Sequence, residues 1–143
     1  MIRSFLIAGM VLAVPALAAA PVQARTVPVT GPFVPAAGAS SAVTGRFTGT
    51  LDEKRNLVTY TIKYSGLSGP VMAAHFHGPA DPGQDAGVMV PIKGPYASPL
   101  HGAVVMTPEQ VTALRAGRVY VNLHTEAHPN GEARAQLQVR GAR

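Results

Sequence analysis

The chain has 143 residues, a formal net charge of +5 and no cysteine. The absence of cysteine excludes disulfides, thiolate metal sites, iron–sulfur clusters and a thiol nucleophile. Its basic residues are scattered and do not form the stripe that nucleic-acid binding requires, so we predict no nucleic-acid partner. The length suits a single small domain.

The first residues have the pattern of a secretory signal. Arg3 supplies a positive charge, an apolar run follows from Phe5, and Pro15 interrupts that run. Small residues at Val22 and Ala24 predict cleavage after Ala24, with Ala20 as an alternative site. The apolar run is shorter than the roughly 20 residues a membrane helix needs. We therefore predict a signal peptide over residues 1–24, a periplasmic or secreted protein, and no membrane span after cleavage.

Residues 25–41 contain Pro28, Pro32 and Pro35, which exclude a regular helix. The segment is predicted to be an extended N-terminal linker or an edge strand. The domain itself is predicted to occupy residues 42–143.

Short runs rich in β-branched and aromatic residues recur between turn signals through this domain. One helix is indicated, because Thr107, Pro108 and Gln110 form a capping box and Gly117 stops the pattern. These elements predict an all-β fold, either an antiparallel β-sandwich or a Greek-key barrel, with one short helix. The predicted strands span residues 43–51, 57–64, 71–77, 88–92, 100–106, 119–124 and 133–139.

Four of the five histidines form two close pairs at the ends of predicted strands, His75 with His77 and His124 with His128. Residues two apart in a strand point to the same face, about 6.6 Å apart along the chain. Two imidazoles at that spacing can bind one ion. His75, His77 and His124 are the candidate ligands, and His128 is a fourth ligand or an outer partner.

Asn122 and Glu132 are candidates to accept the second N–H of a ligating imidazole. A nitrogen-rich site without thiolate suits Cu(II) or Zn(II), and copper binds such a site more tightly. Copper is therefore the predicted cofactor and zinc the alternative. His101, isolated on a strand, is predicted to serve packing or to lie on the surface.

Methionines could add soft ligands for Cu(I), and Met72, Met89 and Met106 lie in or beside predicted strands. Alternation places Met72 on the strand face opposite His75 and His77. Met72 is therefore predicted to belong to the core.

Three motifs together resemble the CHRD (chordin-type) domain family. They are AHFHGPA at residues 74–80, VNLHT at 121–125 and HPNGE at 128–132. The resemblance extends from about residue 43 to 139 and implies an extracellular or periplasmic β-rich domain, of a kind found singly in bacterial secreted proteins. The growth-factor binding of animal chordin is not carried over. The HxH strand also resembles the copper-ligand strand of Cu/Zn superoxide dismutase.

Two functions are compatible with these observations. The first is an exported metal-binding domain that stores or buffers copper or has a redox role, with superoxide dismutation as the main enzymatic alternative. The sequence identifies no catalytic residues and no protein partner. The second is a metal-free binding or structural module, in which His124 and His128 tie the 122–132 hairpin to the loop after His77 by hydrogen bonds. Both functions predict that the two histidine pairs meet.

Overall fold

A computed structural model describes residues 25–141 of the chain. The predicted signal peptide lies outside the described residues. Among the residues described, no helix combines the length and apolar character needed to cross a bilayer. The elements in chain order are β1 (Thr26–Pro32), β2 (Val34–Pro35), β3 (Thr44–Asp52), β4 (Leu57–Ser65), β5 (Val71–His77), β6 (Val88–Ile92), β7 (Leu100–Val105), α1 (Pro108–Arg115), β8 (Tyr120–Thr125), β9 (Ala133–Gln136) and β10 (Gln138–Val139).

The strands form two five-stranded sheets that pack face to face. The first has the order β10-β1-β3-β4-β7 and the second the order β2-β9-β8-β5-β6. Every neighbouring pair is antiparallel. The all-β prediction is confirmed, and of its two forms the structure adopts the β-sandwich.

The core lies between the sheets and is centred on three aromatic rings. Phe47 and Tyr60 extend from the first sheet and Phe76 from the second, with ring centroids 5.5 to 5.8 Å apart. Phe47 and Phe76 are fully buried. Alternation of apolar and polar residues sends one face of each strand into this layer and leaves the other face outside.

Both ends of the described chain cross from one sheet to the other. β1 and β2 belong to different sheets and are separated by the buried Phe33. The predicted strand over 133–139 is likewise divided at the buried Leu137, because β9 pairs with β8 and β10 pairs with β1. Residues predicted as a linker or edge strand thus contribute strands to both sheets.

Helix α1 begins with the predicted capping box. The Thr107 hydroxyl accepts from the Gln110 backbone N–H at 3.3 Å, and the Gln110 side chain accepts from the Thr107 N–H at 2.9 Å. Val111 and Leu114 face the core and are buried. The helix therefore packs its apolar side against the core.

Candidate metal centre

The two histidine motifs lie on β5 and β8, which are neighbours in the second sheet. In their register Ala73 lies opposite His124, and His77 lies opposite Tyr120. Ala74 and Phe76 point into the core, so His75 and His77 project from the outer face. His124 projects from the same face of β8. Strand pairing thus assembles residues that are 49 positions apart in sequence.

His75, His77 and His124 form a compact group, which we call the histidine triad. Each residue offers a ring nitrogen, and these three atoms lie within 4.8 Å of one another. His75 Nδ1 and His124 Nε2 are 3.0 Å apart. Two nitrogens bound tetrahedrally to one ion at about 2.0 Å would be about 3.3 Å apart. The triad therefore matches the dimensions of a metal site.

Backbone carbonyls fix the orientation of two of these rings. His77 Nδ1 is 3.0 Å from the Ala86 carbonyl oxygen, and His124 Nδ1 is 2.9 Å from that of Pro129. A carbonyl only accepts, so each Nδ1 carries the hydrogen and donates it. In the neutral ring Nε2 then presents a lone pair. This is the usual arrangement of a metal-ligating histidine, whose second nitrogen donates to an oxygen.

The lone pair on His77 has no hydrogen-bond partner among the described residues. His77 is 8 % exposed, and its Nε2 is buried. An unsatisfied buried acceptor costs about 1–3 kcal/mol. Burial lowers the pKa of His77. The pKa of His75 is lowered mainly by burial and further by the neighbouring His124 and His77. Both shifts favour the neutral form of the ring, which is the form that binds a metal.

The triad opens into a groove of about 720 Å³. Beside the histidines, Met72, Val88, Pro129 and Asn130 contribute to its walls. Three protein ligands and an accessible groove leave room for a further ligand from solvent, from the protein or from a substrate.

Tyr120 on β8 and Arg134 on β9 support His77 from the neighbouring strands. The Tyr120 ring is nearly parallel to the His77 ring, with centroids 5.0 Å apart, and Arg134 Cζ lies 3.6 Å from the Tyr120 centroid. The Tyr120 hydroxyl donates to the Ala86 carbonyl at 3.2 Å and accepts from the Ala86 N–H at 3.0 Å. Arg134 donates to the Gln84 carbonyl at 2.8 Å. These contacts hold the loop that carries the acceptor for His77.

Sequence reasoning did not assign these supporting residues a role. The alternation of β8 does put Tyr120, Asn122 and His124 on one face. That alternation was the one available signal for Tyr120. The contribution of Ala86 is a backbone carbonyl, which no side-chain pattern reveals.

His128, predicted as a fourth ligand or an outer partner, lies outside the group that the structure brings together. Its backbone closes the turn after β8, accepting from Gly131 N–H at 3.0 Å and donating to the Thr125 carbonyl at 3.2 Å. This turn directs the Pro129 carbonyl, and not the His128 ring, toward His124. The HPNGE motif therefore contributes a backbone carbonyl, and not an imidazole, to the triad.

Asn122 and Glu132 do not accept from the triad. Asn122 lies opposite His75 in the register, but its Oδ1 is buried with no hydrogen-bond partner among the described residues. Glu132 is fully buried, and its carboxylate accepts from Ser41, Ser68 and Thr125. The predicted role of Glu132 is corrected, because these hydroxyls and one backbone N–H occupy its oxygens.

His101 lies on the outer face of the first sheet. It is exposed, and its Nδ1 is 3.0 Å from the Thr61 hydroxyl. This matches the surface role predicted for it. His101 is therefore on the other sheet and is not part of the triad.

Met72 is not in the core. A β-bulge between Val71 and Ala73 interrupts the alternation that predicted its burial. Met72 is 64 % exposed and contributes to the triad groove. A bulge adds one residue on one strand and redirects side chains, which is why simple alternation was wrong here.

The sandwich and its triad define an all-β domain with a histidine-lined candidate metal centre. The CHRD domain model matches residues 25–137, and the chain belongs to the CHRD domain family. No curated protein and no solved structure matches the chain.

Proposed function

We propose that the protein is an exported CHRD-domain protein that binds one transition-metal ion through the histidine triad, copper in preference to zinc. The observation that carries this proposal is the triad itself, whose ring nitrogens lie within 4.8 Å of one another and which includes His77, whose buried Nε2 has no hydrogen-bond partner among the described residues. An ion at that point would satisfy a lone pair that nothing in the described protein satisfies. Storage, buffering or a redox role would follow from such binding.

The preference for copper rests on the chemistry of the donors. The triad offers three imidazole nitrogens and neither a thiolate nor a carboxylate. For nitrogen sites Cu(II) binds more tightly than Zn(II) by the Irving–Williams order. A redox role additionally requires access for a small substrate, and the open groove is compatible with it. Superoxide dismutation by the copper-loaded protein is the enzymatic form of this proposal.

Export is proposed from the leader sequence. The basic start, apolar run and small residues before position 25 are typical of a secretory signal. In a periplasmic or secreted setting, a histidine site has an advantage over a thiolate site, because imidazole is not consumed by disulfide formation. N-terminal sequencing of the protein recovered from an extracytoplasmic fraction tests this part of the proposal.

Titration of the purified, untagged protein with Cu(II) and Zn(II) tests metal binding. We expect one equivalent to bind with sub-micromolar affinity, and the His75→Ala/His77→Ala variant to lose that binding. His101→Ala is the matched control, since it removes an exposed imidazole from the opposite sheet. Equal binding by the double variant and the unaltered protein would refute the triad as the site.

Metal should also stabilise the fold, because the ion binds the folded form in preference to the unfolded chain. At a free concentration 100 times the Kd the expected gain is about 2.7 kcal/mol. Chemical denaturation with and without the ion measures this gain. Destabilisation by stoichiometric metal would contradict a site preformed in the native state.

A second candidate function is a metal-free module in which the histidines form a clamp. The observation in its favour is the 3.0 Å separation of His75 Nδ1 and His124 Nε2, which also suits a hydrogen bond. The clamp does not account for His77, whose Nε2 stays unpaired. It predicts no metal uptake and a loss of stability on His75→Ala, so the titration above separates the two candidates.

A further inference from the structure

The apolar side chain of Met72 is exposed to solvent beside the triad. The bulge at this point of β5 turns it away from the core, and 64 % of it is exposed. Its neighbour Ala73 lies directly opposite His124 in the register. Met72 also lines the same groove as His75 and His124.

Exposure of Met72 gives up the hydrophobic stabilisation that Ala74 and Phe76 of the same strand gain by burial. A bulge that redirects a side chain beside a site is a recurring device of functional sheets. Methionine has three rotatable side-chain bonds and a polarizable thioether, so its sulfur can move within the groove. Thioethers are soft donors that favour Cu(I) over Cu(II) and Zn(II).

We propose that Met72 donates its thioether sulfur to Cu(I) held by the histidine triad, which makes the site competent for both copper oxidation states. This inference rests on the proposed metal-binding function. The imidazoles serve either oxidation state, and the sulfur adds affinity for the reduced ion alone. The side chain remains free to leave when the oxidised ion or zinc is bound.

The experiment compares Met72→Leu with the unaltered protein under anaerobic conditions. Leucine conserves volume and apolar character and removes only the sulfur. Competition with a chromophoric Cu(I) chelator should show affinity for Cu(I) about tenfold weaker in the variant. Affinity for Zn(II), measured with a zinc indicator, should stay within about twofold of the unaltered protein.

Met89→Leu is the control, because Met89 lies on β6 near the start of α1 and does not line the triad groove. X-ray absorption of the Cu(I)-loaded protein supplies a second readout. A sulfur scatterer at about 2.3 Å should be present in the unaltered protein and absent from Met72→Leu.

Equal Cu(I) affinity in Met72→Leu and the unaltered protein would overturn the inference while leaving the proposed function intact, provided that Zn(II) or Cu(II) still binds. Parallel losses for Cu(I) and Zn(II) would also overturn it, since they would assign Met72 a packing role. Failure of the unaltered protein to bind any of the three ions would overturn both proposals.

Discussion

Glu132 provides the sharpest test of how the fold is held together near the candidate metal centre. Its carboxylate is fully buried and joins the segment before β3, the loop before β5 and the end of β8. Oε1 accepts from the Ser41 hydroxyl and from the Ser68 N–H at 2.7 Å. Oε2 accepts from the Ser68 hydroxyl at 2.7 Å and the Thr125 hydroxyl at 2.5 Å. We expect Glu132→Gln to destabilise the protein with its shape retained.

The magnitude follows from these four contacts. Glutamine can keep its oxygen at the Oε1 position, so the Ser68 N–H retains an acceptor. The amide NH2 at the other position cannot accept, and the two hydroxyls that met Oε2 lose their charged partner. A hydrogen bond to a charged group contributes about 1.5–3 kcal/mol. Taking about 1.5 kcal/mol for each gives a loss of about 3 kcal/mol, or a fall in Tm of about 12 °C.

The pH dependence gives the prediction a second readout. Burial acts to raise the pKa of Glu132, but hydrogen bonds from Ser41, Thr125 and Ser68 outweigh it and lower the pKa from 4.5 to about 2. A carboxylate with a depressed native pKa stabilises the fold fully above its unfolded value. This stabilisation is lost as the pH falls from about 4.5 toward 2. The difference in stability between the two proteins should therefore be largest at neutral pH and shrink over that interval.

Urea denaturation of both proteins between pH 7 and pH 2 measures this difference. Glu126→Gln is the control, because it removes an exposed carboxylate from the adjacent turn and should change stability by less than about 0.5 kcal/mol. The reasoning would be refuted by a Glu132→Gln variant as stable as the unaltered protein at pH 7. A stability difference independent of pH would refute the assignment of the effect to the charge.

Two further substitutions test the support of the triad and the close approach of the β1 and β9 backbones. Tyr120→Phe keeps the ring stacked on His77 but removes the hydroxyl that contacts Ala86. Metal affinity measured by chelator competition should therefore fall about tenfold. Unchanged affinity would contradict a positioning role for Tyr120. Gly31→Ala should destabilise the protein by about 2 kcal/mol in urea, because a Cβ there would lie 2.4 Å from the Gln136 carbonyl oxygen. Gly69→Ala, with nothing within 4 Å, should have little effect, and equal stabilities would count against the close approach.

The predicted placement of the histidines was accurate where their side chains follow strand alternation. His75 and His77 share a face of β5, and His124 lies on the polar face of β8, as the sequence pattern indicates. His128 lies in a turn, where no periodicity fixes the direction of a side chain. Its position depends on which backbone groups close that turn.

Met72 and Glu132 show two other reasons for incorrect predictions. A bulge shifts the phase of a strand by one residue, and it depends on the pairing with β8, which is not local in sequence. Glu132 receives hydrogen bonds from segments up to 91 residues away, so its partners cannot be read from its neighbours. A carboxylate predicted to accept from a histidine of the triad is instead fully buried among hydroxyl groups.

Local patterns in the sequence were enough to predict the six strands between residues 43 and 125, the capped helix, the family, and the shared face of His75 and His77, because each depends on local periodicity or on a contiguous motif. Tertiary structure decided how close those histidines lie, which carbonyls orient them, and that Met72 opens into their groove. These properties arise from pairing β5 with β8 and from folding two loops over their outer face. They depend on contacts between segments that are far apart in the sequence, so no single segment determines them.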